Sequence, residues 1–65
     1  MSDEKTVEIE CRLETQTAKA YLIIPTNTDT ETWLPRSQVY DRQEIGDGKW
    51  LFFISEWIAR KNGLI

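Results

Sequence analysis

The candidate nucleophiles in this sequence are Cys11, Ser37 and Ser55. Each would need a base to take its proton, and the usual one is missing, because the chain contains no histidine. Triad-type acyl transfer and the common zinc sites are excluded with it. Cys11 falls in an alternating apolar series, where a thiol acts as a small hydrophobe. Ser55 stands where it can cap a helix. Carboxylates are the other reactive class. Glu8, Glu10 and Glu14 sit on one parity of that same series, the pattern of a solvated strand face guarded against edge pairing. Asp29, Glu31 and Asp47 lie in loops without the Asp-x-Asp-x-Asp-Gly spacing that binds calcium. Gly46, Gly48 and Gly63 are the only glycines and form no phosphate cradle. The expectation is a protein that is not an enzyme, with no metal site and no cofactor.

What remains is binding chemistry, concentrated in Trp33-Leu34-Pro35-Arg36-Ser37-Gln38-Val39. Pro35 fixes a corner and throws Arg36 outward, while Ser37 can bond nearby backbone. With Tyr40 and Arg42 close behind, the candidate binding residues are Trp33, Pro35, Arg36, Ser37, Gln38, Tyr40 and Arg42. Aromatic rings beside arginines suit single-stranded nucleic acid, since bases stack on ring faces. A formal net charge of −3 gives phosphate backbones no global attraction, which disfavours that partner. The competing reading is structural: three tryptophans in a short chain are economical core residues, and Trp33 and Trp50 are expected inside. Gln38 would then satisfy a buried backbone group.

The elements that must hold these residues read as a small β-rich domain over residues 6–65, after a flexible charged start at 1–5. Residues 6–14 alternate strictly, with Val7, Ile9, Cys11 and Leu13 on one face. Residues 18–24 form a second strand that stops at Pro25, and 25–32 a polar loop. A short third strand centres on Trp33 and Leu34. Residues 39–45 give a polar edge strand, Gly46-Asp47-Gly48 a tight turn, and 49–54 the most apolar strand. Ser55 to Asn62 has a cap, an early Glu56, late Arg60 and Lys61, and Gly63 as a stop, so it reads as a two-turn helix. The fold class is mainly β, small α+β: about five short antiparallel strands in a curled sheet or partly open SH3/OB-like barrel, with one C-terminal helix.

Lysines mark the outside. Lys19 shares parity with Tyr21 and Ile23, and Lys49 with Leu51 and Phe53. The expected core is therefore Val7, Ile9, Leu13, Leu22, Ile24, Trp50, Phe52 and Ile54. It leaves Tyr21, Ile23, Leu51 and Phe53 as an outward stripe, covered by Trp57 and Ile58 of the helix or by a partner. These six residues form an alternative interface.

A lone cysteine and the lack of a signal-like apolar start point to the cytoplasm. No segment is apolar enough for a membrane span. Lys19-Ala20, then Trp33-Leu34-Pro35-Arg36-Ser37-Gln38, then Trp57-Ile58-Ala59-Arg60-Lys61-Asn62-Gly63-Leu64 resembles a group of short bacteriophage and prophage proteins. Their pattern runs Lys-Ala, Trp-(Leu/Ile)-Pro-Lys-Ser-Gln and Trp-(Leu/Ile)-Ala-x-Lys-x-Gly-Leu. Arg36 replaces the usual lysine and keeps its charge, and the proline often preceding the last motif is replaced by Ser55 and Glu56. The likeness spans most of the chain from residue 18 onward. It implies a phage accessory protein in the bacterial cytoplasm. By analogy with other small acidic phage proteins, it would bind and modulate, for example inhibit, a host or phage protein. Without disulfide or metal, a second copy could also help to stabilise so short a chain.

Overall fold

The computed structural model describes residues 5–65. Five strands, β1 (Thr6–Gln16), β2 (Ala20–Pro25), β3 (Thr32–Pro35), β4 (Val39–Gly46) and β5 (Lys49–Ser55), precede helix α1 (Glu56–Lys61). They form one antiparallel sheet in the order β3-β2-β1-β5-β4. The fold is mainly β, small α+β, and the sheet is not closed. β3 and β4 are its opposite edges, yet only the 3-10 turn Arg36–Gln38 separates them in sequence. Edges four strand spacings apart would lie ~19 Å apart in a flat sheet, whereas three 3-10 residues advance only ~6 Å. The sheet must therefore curl, and the turn straps its two edges together.

Local chemistry explains the element boundaries. The β4–β5 hairpin turns on Asp47 and Gly48, with φ of 54° and 76°, the paired positive angles of a type I′ turn. At the helix start, Ser55 Oγ accepts from the Ile58 N–H at 3.2 Å, as a cap should. At its end, Leu64 N–H donates to Ala59 O and Gly63 N–H to Arg60 O, a Schellman motif that needs the left-handed Gly63. That motif carries Leu64 back into the core. The expected flexible segment 1–5 falls mostly outside the described residues; Lys5 itself accepts from the Glu56 N–H at 2.8 Å.

The core comprises Ile9, Cys11, Tyr21, Ile23, Leu34, Phe52, Ile54, Ile58, Ala59 and Leu64, with Val7, Leu13, Val39 and Trp50 packed against it. Strands β1 and β5 face as their alternation predicts. Strand β2 is reversed: Tyr21 and Ile23 point inward, and Leu22 and Ile24 are half-buried on the outer face. Lys19 was a poor marker because it lies in the bend before β2, where strand parity does not yet apply. A bulge between Leu13 and Thr15 shifts the β1–β2 register nearby.

The outward stripe therefore does not exist as one surface. Tyr21, Ile23 and Ile58 of the alternative interface are core residues, while Leu51 and Phe53 are half-buried outside. Nor is α1 a lid on the outer face. Ile58 and Ala59 are buried in the core, and Trp57 is 57% exposed with Lys61 Nζ 5.0 Å from its ring centre.

Candidate functional site

The candidate site is the corner where the strap joins the two sheet edges. Its inner half is structural. Arg36 reaches across the β1–β2 hairpin and spends three nitrogens there. Nε donates to Thr17 O at 2.9 Å, Nη1 to the Tyr21 hydroxyl at 3.1 Å and Nη2 to Gln16 Oε1 at 2.6 Å. Its backbone N–H adds a bond to Lys19 O, and its guanidinium carbon lies 4.4 Å from the Tyr21 ring centre. Arg36 is a clasp rather than a free cation. Gln38 holds the other end: Ser55 Oγ donates to its Oε1 at 2.6 Å, so one hydroxyl links the strap to the helix cap. The buried group that Gln38 satisfies is thus a side-chain hydroxyl, not the backbone group expected, because the helix cap brings Ser55 against the strap. Pro35 pairs with Ala20 and leads into the strap.

The outer half is exposed. Trp33, expected in the core, is 48% exposed because Leu34 takes the inward position opposite Tyr21, which turns Trp33 outward beside Leu22. Tyr40 is 47% exposed, at a register shift between Val39 and Asp41. Ser37 is exposed on the strap itself. Arg42 stacks 5.1 Å from the Tyr21 ring centre and 5.5 Å from that of Trp50. Neither arginine has a carboxylate within ion-pair distance among the described residues. Tyr21 in turn meets Phe52 edge-on at 5.3 Å, so the arginines rest on the core's own aromatic cluster.

The sequence signals for Trp33, Tyr40 and Arg42 were present. What sequence reasoning missed is the division of labour, together with the part played by Tyr21. An inward tyrosine carrying two guanidiniums leaves no periodic trace.

Of the expected nucleophiles, Ser55 is fully buried and engaged as a cap, and Ser37 is exposed. Cys11 is fully buried. Burial, then the neighbouring Glu10 charge, pushes its thiol from 9.0 up to about 12. The folded protein therefore disfavours the thiolate. Below pH 9 both states are protonated and stability is unaffected. As pH rises from 9 toward 12, only the unfolded chain ionises, and stability falls. At pH 10 this loss is on the order of 1 kcal/mol. Cys11→Ala is expected to be less stable at pH 7 yet to show a flatter alkaline limb in urea melts between pH 8 and 10. Parallel limbs would contradict the burial argument.

No family model, curated protein or solved structure matches the chain. Among the described residues no helix is long and apolar enough to cross a membrane.

Proposed function

We propose that this is a non-catalytic binding module that docks a protein through the outer half of the strapped corner, centred on Trp33 and Tyr40. The observation that carries the reading is the exposure of two large aromatics on either side of a turn that Arg36 and Gln38 tie down. Rigid aromatic anchors next to an arginine are the residue types that dominate protein interfaces, since little side-chain entropy is lost on contact. The phage-type motifs support a partner of host or phage origin in the bacterial cytoplasm, with the small protein modulating it by occlusion.

Nucleic-acid binding is the alternative. It would be favoured by a tryptophan face framed by arginines. Here the guanidiniums of Arg36 and Arg42 stack on Tyr21 and Trp50, while Trp33 faces outward from β3. The acidic net charge points the same way.

Immobilised protein is expected to retain a partner from infected-cell lysate despite nuclease treatment. Trp33→Ala or Tyr40→Ala should weaken retention of that partner by ~2 kcal/mol, about thirtyfold in Kd, with the melting curve little changed. Sub-micromolar binding to a single-stranded oligonucleotide, falling steeply with salt, would transfer the case to the alternative.

A further inference from the structure

β4 is an edge strand, and residues 40–46 are all exposed. It carries neither lysine nor proline, and its charges, Asp41, Arg42 and Glu44, are of both signs, so they bar some pairings and favour others. One contact shows which of its backbone groups face outward. The Arg42 N–H donates to Oδ1 of the preceding residue, Asp41, at 2.8 Å, rather than to a carbonyl of β5. The register runs unbroken through Arg42↔Phe52, Gln43↔Leu51 and Glu44↔Trp50. Alternation then places the N–H and C=O of Arg42 and Glu44 on the open edge, and those of Gln43 toward β5.

Arg42 and Glu44, two residues apart, also share one face of the sheet. Neither is ion-paired among the described residues. Arg42 is held by its guanidinium face against Tyr21 and Trp50, which leaves the donors along its edge available. Opposite, unpaired charges at i and i+2 of an open edge complement the same strand run antiparallel. A two-fold pairing centred on Arg42 or Glu44 would oppose like charges. Centred on Gln43, it sets each Arg42 against the other copy's Glu44, twice by symmetry. The same register makes those two residues the hydrogen-bonded pairs, as their outward backbone groups require.

We propose that this chain self-associates through β4, two copies pairing antiparallel about Gln43 so that their sheets become continuous across the two-fold axis. Bulges at both ends of β4 limit the regular contact, and Asp41 must release the Arg42 N–H. The interface belongs to the small, transient class, under about 1,200 Å² of total buried surface. This assembly shares strand β4 with the docking surface, which includes Tyr40, but it does not rest on that reading, and its test uses purified protein alone.

Sedimentation analysis from ~10 µM to ~1 mM should show a monomer–dimer equilibrium that weakens with salt. Arg42→Glu and Glu44→Arg should each raise the dimer Kd at least about tenfold, and the double variant should return to within about threefold of the parent. Arg42→Glu also removes a stack on the chain's own core. If it fails to fold, the test passes to Glu44→Gln and Glu44→Arg, expected to weaken the dimer in that order. A parent monomeric over the whole range, a Kd indifferent to these changes, or a folded double variant that stays dissociated would overturn the proposal.

Discussion

Phe52→Ala is expected to leave this protein largely unfolded near room temperature. Phe52 is fully buried in β5, the strand that pairs with both β1 and β4. Its ring meets Tyr21 edge-on at 5.3 Å and Trp50 at 6.3 Å, so truncation empties the centre of the aromatic cluster. Removing a buried phenylalanine costs ~3–5 kcal/mol, and each lost ring pair adds ~0.5–1.5 kcal/mol. A domain of this length has only about 3–10 kcal/mol in total. The ring also supports Tyr21, on which Arg36 and Arg42 stack, so the corner should loosen with the core. Near-ultraviolet circular dichroism and a urea melt check this. A destabilisation below ~1 kcal/mol would mean that the core tolerates collapse around Phe52.

Where an element is governed by local chemistry, its position was legible in the sequence. The strict alternation of β1, the paired positive angles at Asp47 and Gly48, and the Ser55 and Gly63 caps all depend on near neighbours. Long-range placement was less legible. The facing of β2 depended on where its strand begins after the 17–19 turn, which side-chain parity cannot reveal. Once Tyr21 turned inward, Leu34 took the position opposite it, and Trp33 was forced out. The helix also had to dock on what the sheet left open, and this was the core itself. The distinctive Trp-Leu-Pro-Arg-Ser-Gln segment offered two readings, structural corner and binding surface; the structure ties Arg36 and Gln38 into the corner and leaves Trp33 and Ser37 exposed.

Removing residues 56–65 is expected to abolish cooperative folding altogether. Ile58, Ala59 and Leu64 are core residues in one cluster with Ile9 and Ile54, and the helix packs on β1 and β5. The segment also holds Ser55 in place: without the Ile58 N–H, the fully buried hydroxyl loses the donor that it caps. The Glu56 N–H to Lys5 O bond, which ties the chain's start to the helix, is lost as well. No outward stripe is uncovered. The truncated chain should give an unfolded or molten far- and near-ultraviolet spectrum rather than a stable dimer. Single substitutions separate core from surface within the same helix. Ile58→Ala should cost ~2–5 kcal/mol, whereas Trp57→Ala, a ring 57% exposed and touched by Lys61, should cost under ~1 kcal/mol. A truncated protein that still melts cooperatively near the parent temperature would show that the five strands bury enough by themselves. Comparable losses from both substitutions would instead place Trp57 in a contact that its exposure does not reveal.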